Sequence, residues 1–162
     1  MTMKVDYTTE EWRTLLQAVG AAGVYIIISD PNFVIGSMKE GLAVARSIFD
    51  KEKEENGDLL SALLPEFKDK EMAKQARLEY EKKDVATVKQ TSLDALKDAA
   101  AILEQKASPE EAKEMKTWLY EVSVKTAEAA KEGGFLGFGG TRVSPEEEVA
   151  LKEIAEVLGV TP

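Results

Sequence analysis

Carboxylates are the reactive groups this sequence offers in quantity, with 30 aspartates and glutamates in all. Four of them, Glu10, Glu11, Asp30 and Glu40, lie in the first two predicted helices or in the turn between them and are expected to approach one another where those helices meet. Oxygen ligands of this kind suit a hard cation such as magnesium or calcium. Asp30 and Glu40 are the candidate metal ligands. A local reading competes. Glu11 and Glu40 each stand three residues after a hydroxyl residue, Thr8 and Ser37, as in a helix capping box. Asp30 precedes Pro31 and suits a turn. No Asp-x-Asp-x-Asp-Gly calcium loop and no Glu-x-x-His pair occurs. Ser123 and Lys125 are two residues apart on a predicted helix, so they point to different faces and make a poor nucleophile–base pair.

The other unusual stretch is the apolar glycine loop Gly133-Gly134-Phe135-Leu136-Gly137-Phe138-Gly139-Gly140, followed by Arg142. A loop that cradles phosphate needs free backbone amides and a helix N-terminus aimed at the anion. This loop does precede a helix. That helix opens with Glu146, Glu147 and Glu148, whose charge already occupies the positive end of its dipole. No Gly-x-x-x-x-Gly-Lys-Ser/Thr is present, and only Arg142 favours an anion. The loop is therefore expected to be structural or to bind a partner, with Phe135, Phe138 and Arg142 as its interaction residues. An exposed aromatic patch usually marks a partner surface.

Composition narrows the classes. There is no cysteine, hence no disulfide and no thiolate site, and no histidine, hence no histidine triad, general base or ordinary zinc site. The sequence implies no cofactor. A net charge of −9 disfavours nucleic acid and anionic lipid surfaces. Residues 1–6 lack a basic-then-apolar leader pattern. The most apolar run, Ala18–Ile28, is shorter than the ~20 residues of a membrane span. The expected setting is cytoplasmic, without a membrane span.

The elements that must position these residues read as helices throughout. The first runs from Thr9 to Ser29 behind the Thr8/Glu11 capping box. Its second half is apolar on all sides, which places it in the middle of a bundle, with small residues that let a neighbouring backbone come close. The second is expected from about Met38 to Glu55, with Leu42, Ala45, Ile48 and Phe49 turned inward. Asp58 would cap a short helix over Leu59–Leu64. Residues 66–83 form a charged, weakly amphipathic segment, expected to be helical, solvent-facing and mobile. Lys51–Glu55 would be a solvated face. Asp84 caps a helix from Val85 to Gln105, with Val88, Ser92, Ala95, Leu96, Ala99, Ile102 and Leu103 on its inner side. Ser108-Pro109-Glu110-Glu111 and Ser144-Pro145-Glu146-Glu147 are start signals with proline at the first helical position. The helix opened at Ser108 reaches about Glu132, with a face of Ala112, Met115, Trp118, Leu119, Val122, Thr126, Ala129 and Ala130. Trp12 and Trp118 are expected to be core or interface anchors. The last helix buries Leu151, Ile154, Ala155 and Leu158 and stops at Gly159. The sum is a single all-α domain over 1–162: a compact bundle of six to seven helices around a central apolar helix one, with short connections and no sheet.

The closing stretch, Val143-Ser144-Pro145-Glu146-Glu147 through Leu151, Ile154, Ala155 and Leu158-Gly159, resembles the closing motif of the TerB-like family associated with tellurite resistance. The Gly133–Gly140 loop looks like that of small prokaryotic proteins of unassigned function. The resemblance implies an all-helical fold and a stress-related, non-catalytic role in which acidic residues bind metal. Where the family pattern usually carries an Asp-Gly pair before the motif, this chain has Gly140 and Thr141. The expectation for function is a non-enzymatic helical protein that binds an unknown protein partner or itself. The alternative is a domain that binds a divalent cation or small anion.

Overall fold

A computed structural model describes residues 3–30, 38–132 and 143–162 of the backbone, with side chains for 3–30, 42–129 and 143–162. The described residues form seven α-helices: α1 (Thr9–Ser29), α2 (Met38–Glu52), α3 (Asp58–Leu63), α4 (Lys70–Gln75), α5 (Val85–Lys106), α6 (Pro109–Glu132) and α7 (Pro145–Leu158). Short 3-10 turns cover Lys4–Asp6 and Leu64–Lys68, and no strand occurs among the described residues. The chain is an all-α bundle.

Local chemistry sets most of the helix ends. At α1 the Glu11 amide donates to the Thr8 hydroxyl (3.1 Å) while the Thr8 amide donates to the Glu11 carboxylate (2.7 Å). The same reciprocal pair forms between Ser144 and Glu147 at α7 and between Ser108 and Glu111 at α6. Each satisfies two amides that the first helical turn leaves without partners. Asp84 caps α5 through the Thr87 amide. Gly159 ends α7 in the left-handed conformation (φ 66°), where a side chain would be strained. The start of α3 departs from expectation. Its cap is Gly57 rather than Asp58, and the partner comes from far along the chain: the Gly57 amide donates to both carboxylate oxygens of Glu114, at 3.1 and 3.2 Å.

Helix α1 is the shared core. Leu15, Leu16, Ala18, Val19, Ala21, Ala22 and Ile26 are fully buried, and α1 touches α2, α4, α5, α6 and α7. The directions follow from side-chain contacts. Lys106 at the end of α5 pairs with Glu11 at the start of α1 (2.7 Å), and Lys89 near the start of α5 lies over the ring of Tyr25, so α5 runs against α1. Ser123 of α6 donates to the Ala22 carbonyl (3.1 Å), while Tyr7, just ahead of α1, feels the charge of Glu111 at the start of α6, so α6 runs alongside α1 in the same direction. Val44 of α2 and Thr126 of α6 meet at Gly23, and Gly57 meets Glu114, so α2 runs against α6. The end of α1 and the starts of α2 and α5 thus share one pole of the bundle with the end of α6.

Gly23 is where small residues in α1 admit a neighbour. A Cβ built there would lie 2.4 Å from Val44 Cγ2 and 3.5 Å from Thr126 Oγ1. By length and composition α1 is also a helix able to cross a bilayer, with an 18-residue window of mean hydropathy 1.2 within its 21 residues, although 56% of that window is buried inside the bundle.

Four other expectations change. Helix α2 ends at Glu52 rather than Glu55. Its inner face is Val44, Ser47 and Ile48, whereas Leu42, Ala45 and Phe49 point outward. Residues 66–83 are not one helix. They comprise the end of a 3-10 turn, the six-residue α4 capped by Asp69, and an irregular stretch beyond it. Leu-Pro at 64–65 breaks the helical run, and the segment has too few apolar residues in register to hold a longer helix on the core. Lys51 is not part of a solvated face. Its side chain is only 14% exposed, pairs with Glu54 and lies against α6.

Candidate functional site

Turning α2 with Val44, Ser47 and Ile48 inward has a consequence on its other side. Leu42 and Phe49 are 57% and 56% exposed, with Ala45 between them on the same stripe. The spacing of three and then four residues keeps all three on one face of the helix. Arg46 and Lys53 are exposed on that face, and the Lys53 ammonium lies 3.9 Å from the centre of the Phe49 ring. The stripe is thus apolar, with Arg46 and an Asp50-paired Lys53 at its margin, on a chain whose net charge is −9. The sequence carries this stripe, but it carries the Val44/Ile48 stripe equally well. The contact at Gly23 and the packing of α2 on α6 decide which one turns inward.

A second feature is a cleft of about 490 Å³ between the first half of α1 and α4. Arg13 and Gln17 come from α1, Lys74 and Gln75 from α4, and Arg77 from just beyond it, with Glu71 and Glu79 also lining the space. Gln17 donates to the Arg77 carbonyl (3.1 Å) and fixes the main chain there. Sequence reading gave no signal for this cleft, because Arg13 and Arg77 belong to unrelated segments.

Buried polar groups form a third set. Tyr25 of α1 donates a short hydrogen bond to Glu153 of α7, with Lys89 over its ring. Burial, and then the Glu153 carboxylate, hold its phenol well above the ordinary range. Tyr7 is pushed up to about 12, first by burial and then by the charges of Glu111, Asp6 and Glu11. At Glu11 the hydrogen bond from Lys106, then that from the Thr8 amide, holds the carboxyl below the ordinary range. The tyrosines give a pH prediction. An unfolded tyrosine loses its proton near pH 10, whereas folded Tyr7 keeps it until about pH 12. Between those values the unfolded chain binds fewer protons than the folded one, so stability falls as pH rises. The melting temperature is expected to drop through the pH 10 to 12 window. Tyr7→Phe, which removes a hydroxyl that has no hydrogen-bond partner among the described residues, is expected to make that drop shallower and to be close to neutral at pH 7.

Of the candidate carboxylates, Glu10 and Glu11 are not brought near Asp30. Glu10 and Glu11 open α1 and Asp30 follows its end, which at 1.5 Å per residue separates them by about 30 Å. Glu10 bonds to Arg13 (3.0 Å) and Glu11 to Lys106. The side chain of Glu40 lies outside the described residues, as do Phe135, Phe138 and Arg142. Among the described residues, no group of three or more aspartates or glutamates is placed to hold a metal ion. Trp12 and Trp118 are both core residues. Ser123 is fully buried, bonded to the carbonyls of Ala22 and Leu119, while Lys125 is exposed.

The fold and its surface define a small all-α domain with an apolar helix face open to solvent. Compared with known proteins, the chain matches no protein-family model, no curated protein and no solved structure.

Proposed function

We propose that this chain is a non-enzymatic, cytoplasmic helical domain that acts by binding another protein through the outer face of α2. The observation that carries the reading is the exposure of Leu42 and Phe49 on one stripe with Ala45. An amphipathic helix that presents apolar anchors at this spacing fits a hydrophobic groove on a partner. Arg46 and Lys53 favour a groove with an acidic margin. A second copy of the chain is the other candidate occupant. The metal-binding role implied by the TerB-like resemblance has less support, because Gly140 and Thr141 stand where that pattern carries its Asp-Gly pair.

The test is a double substitution, Leu42→Ser with Phe49→Ser. Both side chains are exposed, so the melting temperature is expected to move little, within the range of about 0.5 kcal/mol typical of surface changes. Affinity for a captured partner, or for a second copy in sedimentation measurements, is expected to fall by about tenfold or more. Unchanged binding by the folded double variant sinks the reading. Phe135→Ser with Phe138→Ser, made separately, asks whether the glycine loop takes part.

A further inference from the structure

We propose that the cleft between α1 and α4 binds a small oxyanion, a molecule bearing phosphate or carboxylate groups. This inference is independent of partner binding through α2. The chain has four arginines, and two of them, Arg13 and Arg77, line this one cleft together with Lys74. A guanidinium offers a planar fork of donors matched to phosphate and carboxylate oxygens, and Gln17 and Gln75 add neutral amide donors. The wall is held in place. Gln17 bonds to the Arg77 carbonyl, and a Cβ at Gly20 would lie 3.9 Å from the Ala76 carbonyl oxygen, so the backbone that carries Arg77 rests close against α1.

The carboxylates nearby leave the cations available. Arg13 pairs with Glu10 and Lys74 with Glu71, but both are exposed pairs three residues apart on their own helices, and such pairs exchange readily for a better ligand. Arg77 forms no ion pair among the described residues. Three cations face Glu71 and Glu79 in the lining, and Glu10 pairs with Arg13, so the cleft is close to neutral on a strongly acidic chain. That balance, with a volume of about 490 Å³, suits a compact anion rather than a polyanion.

The experiment is calorimetric titration of the intact protein at low salt with inorganic phosphate and, separately, with citrate. At least one probe is expected to bind saturably with a Kd at or below about 1 mM, and to bind more weakly as sodium chloride is added. Arg77→Gln and Arg13→Gln are each expected to weaken that probe by about tenfold or more, with the melting temperature in its absence little changed. Binding of phosphate alone, of citrate alone, or of both identifies which oxyanion the cleft prefers. No saturable binding of either probe overturns the proposal, and so does binding that both variants retain at wild-type strength.

Discussion

Gly23→Val is expected to destabilise the protein by about 3 kcal/mol or more, and Val44→Ala in the same chain to restore much of the loss. Gly23 sits inside α1 with a built Cβ 2.4 Å from Val44 Cγ2. Carbon atoms in contact prefer about 3.5–4.0 Å, so even one added methyl must push α2 outward or force Val44 off its rotamer. Valine in a helix has little rotamer freedom with which to retreat. Two effects oppose each other at this site. Replacing glycine by alanine in a helix gains about 1 kcal/mol of propensity. Overpacking a close contact costs about 1–3 kcal/mol, occasionally more. For Gly23→Ala the clash is expected to win narrowly. For Gly23→Val the added methyl groups also approach Thr126 Oγ1, which is 3.5 Å from the Cβ position, so the clash wins clearly. For a domain of this size the melting temperature moves by about 2–4 °C per kcal/mol, so the valine variant is expected to melt at least about 6 °C lower. The Val44→Ala background removes the obstructing methyl, so the pair should be strongly non-additive. If Gly23→Ala raises the melting temperature in the natural background, or if Val44→Ala brings no rescue, the close approach of α1 and α2 is wrong.

The same contact marks where sequence reading stopped. The starts of α1, α6 and α7 were legible because a capping box is written within four residues, and the structure forms each one. The all-α class and the central place of α1 were legible because Ala18–Ile28 is apolar on every side. The orientation of α2 was not legible. Leu42, Ala45 and Phe49 make one apolar stripe and Val44 and Ile48 make another, and Ser47 on the inner side looks polar until its hydroxyl is seen bonding the Ala43 carbonyl. What chooses between the stripes is the notch at Gly23 and the packing of α6, both distant in sequence. The cap of α3 failed for the same reason, since Glu114 lies 57 residues from Gly57. The cleft at Arg13 and Arg77 had no local signature at all, because its walls are assembled by tertiary packing.

Trp118→Ala is expected to be the most damaging of the single truncations, costing about 3–5 kcal/mol and lowering the melting temperature by about 6–20 °C. Trp118 is 1% exposed and lies on the buried side of α6 together with Met115, Leu119 and Val122. Lys51 and Glu114 line the same shallow hollow beside it, so the residue also supports the end of α2 and the Glu114 bond that caps α3. Its indole N–H is buried and makes no hydrogen bond to any of the described residues. A buried donor without an acceptor is a standing cost of about 1–3 kcal/mol. Trp118→Phe removes that donor along with part of the ring, so the relief offsets part of the lost packing. The phenylalanine variant is therefore expected to lose less than half of what alanine loses. Equal losses from the two variants would mean that the N–H has a partner and that the ring volume is not what matters. The comparison also separates core from surface. Leu42→Ser with Phe49→Ser should weaken partner binding at nearly unchanged stability. Trp118→Ala should weaken binding only near its lowered melting temperature, because α2 stays seated on α6 for as long as the bundle remains folded.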